Sequence, residues 1–415
     1  MKSWIRPVVP RLPGRAGVPR LFDSSTRHVS EAAPRSDASL YVCGITPYDA
    51  THLGHANTYL AFDTLVRLWT DGGFDVRYVQ NVTDVDDPLL ERAIAVGVDW
   101  RELAAEQIEL FRGDMESLRI LPPTHYVAVT DTIDEVAAAI NTLLDSGIAY
   151  RLDDGSGDIY FDNSAAASGA WTLGDESGLD RATMLALSAE RGGDPDRAGK
   201  RDALDPLLWR GHRDGEPSWD SPVGTGRPGW HIECSVIAQH YLDTPITVQG
   251  GGSDLLFPHH EFSAGHAAAL SGRPLADLYA HAGMVAYDGE KMSKSLGNLV
   301  LVSTLTAEGT DPRAIRLALL DRHYRADWEW TRGQLTEAQC RLGTWETWAA
   351  TAVGDTDATD SDATDATLLD ALRAALANDL DTPAALAAVD ARIDSGAPAT
   401  ATDVAAIDAL LGIAL

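Results

Sequence analysis

Two stretches of this 415-residue chain carry residue types suited to handling phosphate. One is Gly289-Glu-Lys-Met-Ser-Lys-Ser-Leu-Gly-Asn298, which places Lys291 and Lys294 three apart in a Gly-bounded loop. The other two lysines are Lys2 and Lys200, and every other basic residue is an arginine. Lysine is a compact, mobile point charge and arginine a planar fork, so a loop that must follow a moving phosphate oxygen suits lysine. The second stretch is His52-Leu-Gly-His55, between a short apolar run and a helical pattern. A Gly-containing loop that opens a helix after a strand is where parallel sheets bind phosphates, and two imidazoles there could meet charge building on an α-phosphate. Alone, the histidine pair could equally be a cap or a metal site. With the lysine loop it supplies a cradle and mobile cations for a pyrophosphate leaving group.

The elements that must position these groups follow from periodicity. Leu40-Tyr-Val-Cys43 is a strand-like run, residues 56–69 repeat apolar residues at helical spacing, and Val76-Arg-Tyr-Val79 is a second strand. Strand, Gly-containing loop, helix and strand predict a βαβ unit and a parallel, Rossmann-like α/β sheet. A short strand is expected at Arg20-Leu-Phe22, and others at Asp158-Ile-Tyr-Phe161, Thr247-Val-Gln249 and Met284-Val-Ala286. Amphipathic helices are expected within 98–149, and a continuous helical stretch from Pro312 to Trp348. The expected organisation is a leader (1–37), the first half of the catalytic sheet (38–117), an inserted connective subdomain (118–225) and the second half with the lysine loop (226–297). A helical stem (298–353), an acidic linker (354–367) and a small helical tail (368–415), its second helix opened by Pro383, complete it.

Composition narrows the function classes. The net charge of -29 argues against a large nucleic-acid footprint. No apolar run is long enough for a membrane span, and the first 20 residues lack the apolar core of a secretory signal. Three scattered cysteines, Cys43, Cys234 and Cys340, make no disulfide framework and fit a reducing cytoplasm. Each cysteine taken alone reads as a small buried hydrophobe. Asp84, Asp86 and Asp87 suit capping of the following helix better than metal binding. Trp230 could equally wall a pocket or pack in the core. The Gly250–Asp254 loop could let adenosine approach the backbone, or simply turn from strand to helix.

The two phosphate-handling stretches resemble the paired HIGH and KMSKS signatures of class I aminoacyl-tRNA synthetases. The resemblance narrows to the cysteine branch through Tyr41-Val-Cys-Gly44, Asn81-Val-Thr-Asp-Val-Asp-Asp87, Gly226-Arg-Pro-Gly-Trp-His-Ile-Glu-Cys234, Gly250-Gly-Gly-Ser-Asp254 and Phe257-Pro-His-His-Glu261. It implies one Zn²⁺ on Cys43, Cys234 and His259, with the fourth position left to a substrate thiolate. It implies ATP with Mg²⁺ as the activating substrate, with His52, His55, Lys291 and Lys294 as the catalytic set. Nucleotide and aminoacyl contacts would come from Gly44, Ile45, Thr46, Gly54, Thr58, Asn81, Val82, Thr83, Trp230, Gly252, Ser253, Asp254 and Ala286.

The departures carry as much information. Synthetases of this branch generally have HIGN where this chain has His52-Leu-Gly-His55, and a glutamate ligand where it has Ser263. Glu190-Arg-Gly-Gly-Asp-Pro195 is an insertion relative to them, and after the acidic stretch no basic anticodon-binding module is visible. Together these features are similar to the mycothiol-biosynthesis ligases, a family paralogous to cysteinyl-tRNA synthetase. That likeness implies joining of L-cysteine to the amine of glucosaminyl-inositol through a cysteinyl-adenylate, by a cytoplasmic monomer without nucleic acid. Alternatives are a shortened cysteinyl-tRNA synthetase, a ligase for another aminosugar, and a catalytically silent zinc- and cysteine-binding paralogue.

Overall fold

The computed structural model describes residues 1–48, 52–287, 289–292, 298–352 and 367–415. Lys294 and nearly all of the acidic stretch expected as a linker lie outside the described residues.

A hairpin of β1 (Arg20–Asp23) and β2 (His28–Glu31) precedes the central sheet. That sheet is built from β3 (Ala38–Val42), β4 (Val76–Val82), β5 (His125–Ala128), β10 (Ile246–Gly252) and β11 (Ala276–Ala282), in the order β11-β10-β3-β4-β5. Every pairing in it is parallel. All five residues of β3 are buried, as a central strand covered on both faces requires. Between its two halves lies an antiparallel meander of β6 (Ala149–Arg151), β7 (Ile159–Phe161), β8 (Leu207–Gly211) and β9 (Gly226–Pro228). A small sheet of β12 (Val285–Tyr287), β13 (Glu290–Lys291) and β14 (Trp328–Trp330) follows. This is the α/β architecture expected from the βαβ pattern.

The structure differs from the sequence expectation in four places. β5 lies inside the 118–225 segment expected as an insertion, so the first half of the sheet runs on to Ala128. Its four residues follow Pro122-Pro123 and are too short to announce themselves by alternation. The stretch from Pro312 to Trp348 is two helices, Pro312–Leu320 and Arg332–Ala349, interrupted by β14. The leader is docked: the Trp4 indole donates to the Ile120 carbonyl at 2.7 Å and packs edge-on against Phe111 and Tyr126. The C-terminal helices are part of the main core, where Leu372, Leu376, Leu386, Ile407, Leu410 and Leu411 are buried.

The helix Leu53–Asp71 holds these parts together. It is buried on nearly all sides, because it lies between the sheet and the C-terminal helices. Asp63, in its middle, accepts from Arg67 Nε at 2.8 Å, from the Leu121 amide at 2.8 Å and from Arg316. All three charged side chains are almost completely buried. Arg316 also donates to the carbonyls of Leu411 (2.6 Å) and Leu118 (2.7 Å), and Arg67 to those of Asp408, Ala409 and Arg119. Burial alone would raise the Asp63 pKa, but Arg67 and Arg316 hold it below the usual carboxylate range. Its stabilising contribution is therefore present above the unfolded value, about 3.9, and lost as pH falls through the lower folded value.

Asp63→Ala strands two buried guanidinium groups and is expected to cost about 3–5 kcal/mol in urea unfolding. A loss below about 1 kcal/mol, the range of exposed pairs, would contradict the role assigned to this network.

Candidate active site

The chemistry-bearing residues gather at the carboxyl edge of the parallel sheet, where open α/β sheets place their ligands. Cys43 follows β3, Asn81 and Val82 end β4 with Thr83 just beyond, and Gly252 ends β10. Gly44 is required by a close approach: a Cβ there would lie 1.6 Å from the Asn81 carbonyl oxygen. The Asn81 side chain accepts from the Gly44 amide at 2.8 Å and the Tyr41 hydroxyl at 3.1 Å, and donates to Thr83 Oγ1. Its side chain therefore shapes the turn that aims Cys43. Ile45 and Val82 are buried in the core, so only their backbones can face a ligand. Thr46 and Thr58 are half-buried, and Thr58 returns its hydroxyl to the Gly54 carbonyl at 3.2 Å.

Cys43, Cys234 and His259 come together although they are far apart in the chain. Their ligand atoms lie within 4.8 Å of one another, and all three residues are buried. Cys234 stands on the helix Trp230–Tyr241, and His259 precedes the helix Glu261–Ser271. The two sulfurs are 3.9 Å apart. Burial, and the neighbouring Cys234 sulfur, push the Cys43 thiol well up. Cys234 goes the other way: against its burial, the Cys43 thiol and the His259 imidazole hold it well below its ordinary value. His259 Nδ1 meets His231 Nδ1 at 3.1 Å, while its Nε2 is buried without a hydrogen-bond partner. One anion-prone thiol with a second sulfur beside it and an orphaned imidazole nitrogen fits a divalent cation with a preference for sulfur and nitrogen. Among the described residues no fourth Cys, His, Asp or Glu joins the group. The Ser263 hydroxyl, where a further ligand could stand, donates instead to the His231 carbonyl at 3.0 Å.

Behind the cluster lie residues that motif reading did not single out. Gln249 Nε2 donates to Cys43 Sγ at 3.4 Å, and His260 Nε2 lies 3.3 Å from the same sulfur. His260 Nδ1 meets His281 Nε2 at 2.8 Å, and His281 Nδ1 meets Ser24 Oγ at 2.8 Å. A glutamine inside the apolar run of β10 was the available signal.

His52 caps the helix Leu53–Asp71, its Nδ1 accepting from the Gly54 amide at 3.1 Å. The His52 and His55 rings stack with centroids 3.9 Å apart, so both imidazoles stand at the positive end of a 19-residue helix. Gly252, Ser253 and Asp254 form a half-buried turn, and Gly252 lies close to Thr58. Trp230 is half-buried with its ring 4.4 Å from that of His259, facing the cluster and outside the apolar cores. Ala286 pairs with Lys291 across β12 and β13, which brings the described end of the lysine loop to the same small sheet. Asp86 caps the following helix, as expected of its run, while Asp84 accepts from the Thr130 amide at 3.0 Å.

Residues 30–340 match the family model for the catalytic domain of class I (C) tRNA synthetases. The fold resembles a methionyl-tRNA synthetase of Mycobacterium tuberculosis bound by methionyl-adenylate, with a TM-score of 0.59 at 16% identity, covering 91% of this chain and 88% of that one. It also resembles the Agrobacterium radiobacter K84 agnB2 LeuRS in its complex with tRNA and LeuAMS, with a TM-score of 0.60 at 13% identity over 91% and 83% of the two chains. Much nearer in sequence is the L-cysteine:1D-myo-inositol 2-amino-2-deoxy-alpha-D-glucopyranoside ligase of Clavibacter michiganensis subsp. michiganensis, 64% identical over 100% of this chain and 99% of the relative. The protein of the same name from Arthrobacter sp. (strain FB24) is 56% identical over all of both chains. With the class I fold, the cysteine-branch catalytic domain and relatives of this identity over its full length, the chain belongs to the L-cysteine:1D-myo-inositol 2-amino-2-deoxy-alpha-D-glucopyranoside ligase family of class I synthetase-like enzymes.

Proposed function

We propose that this ligase activates L-cysteine with ATP and transfers the cysteinyl group to the amine of glucosaminyl-inositol, a step of mycothiol biosynthesis. The observation that carries the activating half is that the strand leading to Cys43, in the buried group with Cys234 and His259, is followed by the helix that opens on the stacked His52–His55 pair. The acceptor is taken from the name shared by its relatives.

In the first step a cysteine carboxylate oxygen attacks the α-phosphorus of ATP and the bond to pyrophosphate breaks. His52 and His55, at the helix N-terminus, stabilise charge on the phosphate oxygens, and Lys291 and Lys294 close on the leaving pyrophosphate with Mg²⁺. In the second step the sugar amine attacks the carbonyl carbon, AMP leaves and the amine proton passes to water. Cys43, Cys234 and His259 would hold Zn²⁺, which when bound supplies a Lewis acid that favours an ionised thiol over an alcohol. A pocket completed by such a group rejects serine because the hydroxyl cannot replace the thiolate. Gly252, Ser253 and Asp254 line the adenosine side, and Trp230 covers the amino acid.

The deciding experiment gives the purified protein ATP, Mg²⁺ and cysteine, with glucosaminyl-inositol in one tube and total tRNA in another. AMP release with a new thiol-bearing amide in the sugar tube alone is expected. Charged tRNA without the amide would make this a minimal synthetase. Metal analysis of purified protein should give about one zinc per chain, and Cys234→Ser should lose most of it. Full zinc occupancy in that variant would remove the three-residue site. His52→Ala is expected to lower kcat for adenylation by about a hundredfold with little change in the KM for cysteine, as for loss of a group acting on transition-state charge. An unchanged kcat would place His52 outside the chemistry.

A further inference from the structure

The insertion Glu190-Arg-Gly-Gly-Asp-Pro195 has no part in the chemistry above, yet it is built to present one side chain. It follows the helix Arg181–Glu190, whose Met184 packs with Leu204, Phe257 and Phe262 in a small apolar cluster. Arg191 closes that helix, its amide donating to the Leu187 carbonyl at 3.0 Å. Gly192 then takes φ +85°, which costs a side-chain-bearing residue strain. Gly193 turns so tightly that a Cβ would lie 2.7 Å from the Ser188 carbonyl oxygen. Asp194 anchors the far end, accepting from Lys200 Nζ at 2.9 Å and from the Tyr160 hydroxyl of β7.

Between these fixed ends Arg191 reaches across to the loop after β10. Its Nη1 donates to the carbonyls of both Asp254 (2.6 Å) and Phe257. Phe257 is extended (φ -137°, ψ 135°), so its buried carbonyl stands outside regular helix geometry. A buried carbonyl of this kind needs a donor from elsewhere, and a charged one binds it more strongly than a neutral one. The two carbonyls belong to the segment that runs from the adenosine-side Asp254 to the metal-side His259, one at its start and one two residues before its end.

We propose that Arg191 is a positioning residue that fixes the Asp254–His259 loop and so sets the nucleotide contact and the metal ligand in one register. The inference rests on the roles given above to Asp254 and His259, while the clamp itself can be read without them. Lysine is a poor substitute, since both bonds come from one nitrogen whose two hydrogens the planar guanidinium holds in fixed directions, and an ammonium on a shorter, flexible stem has no such fixed aim.

The test compares Arg191→Ala, Arg191→Lys and, as a control on an exposed neighbour, Glu190→Gln. Arg191→Ala is expected to speed amide hydrogen exchange across residues 252–260 and to raise the KM for ATP about tenfold. It should also speed zinc release to a chelator about tenfold, the scale of losing a group that orients a metal ligand. Arg191→Lys should fall between it and the wild type, and Glu190→Gln should match the wild type. Unchanged exchange in the loop, or unchanged KM and zinc release with faster exchange, would overturn the proposal. If Arg191→Ala fails to fold, Arg191→Lys decides: wild-type exchange, KM and zinc release there would overturn it. A wild-type protein without ATP turnover or zinc would instead refute the functional reading, with the exchange measurement still reporting on the clamp.

Discussion

The buried contact of Asp63 with Arg67 and Arg316 is the constraint on which the rest of the molecule depends. Two guanidinium groups and a carboxylate out of water are costly, and such a cluster persists only if each remaining donor and acceptor finds a partner. Here they do, and the partners are backbone groups from two separate parts of the chain: Leu118 to Leu121, and Asp408 to Leu411. The ions thus tie the C-terminal segment and the end of the helix Trp100–Ser117 to one point of the helix Leu53–Asp71. Gly412 shows how tight the fit is, since a Cβ there would lie 2.4 Å from Arg316 Cζ. The same helix carries the His52–His55 pair at its start. Its Tyr59 hydroxyl donates to the Cys43 carbonyl at 3.1 Å, and its Phe62 ring leaves no room for a side chain at Gly250. One rod therefore spaces the histidine pair, the cysteine strand, the glycine loop and the C-terminal helices.

The metal-type cluster has a different physical origin, in close helix packing. The Ser235 hydroxyl donates to the Ser263 carbonyl at 2.9 Å, and the Ser263 hydroxyl to the His231 carbonyl at 3.0 Å, so the helices bearing Cys234 and flanking His259 touch through small polar groups. Ala264, Ala267 and Ala268 continue the narrow contact. A carboxylate at position 263 would be longer, charged and aimed into this seam. The chain has a small hydroxyl there, and the cluster that gathers beside it is two sulfurs and one imidazole. The anionic tendency of Cys234 is then met by His259 and by the hydrogen bond with Cys43, in a site where burial otherwise favours neutral groups.

Much of this was legible in the residues. The βαβ reading placed β3, β4 and the intervening helix, and the motif order brought Cys43, Cys234 and His259 to one site that no spacing rule could have assembled. Short elements escaped. β5 and β14 have four and three residues, too few for periodicity to separate from coil. Docking of the leader escaped because a single tryptophan in a Pro- and Arg-containing stretch carries no periodic signal. Asn81 shows a subtler limit: its residue type suggested a ligand donor, and the structure spends its side-chain oxygen on the Gly44 turn. Lys294 lies outside the described residues, and the motif is all that speaks for it.

The inserted meander is better understood as a wall of the site than as an appendage. Glu261, two residues after His259, accepts from the Trp171 indole at 3.1 Å and from the amides of Gly174 and Ser177, both at 2.8 Å. On the other side of the same turn Arg191 donates to two carbonyls, and Met184, Leu204 and Phe262 close around the Phe257 ring. The inserted subdomain thus supplies donors to the loop's carbonyls and carboxylate, and apolar cover for its aromatic residue. Within this turn Phe257 is an extended step between helical turns, and its carbonyl is bonded from outside the turn. The inserted segment therefore braces this turn from outside, through Arg191 on two of its carbonyls and Trp171, Gly174 and Ser177 on the Glu261 carboxylate.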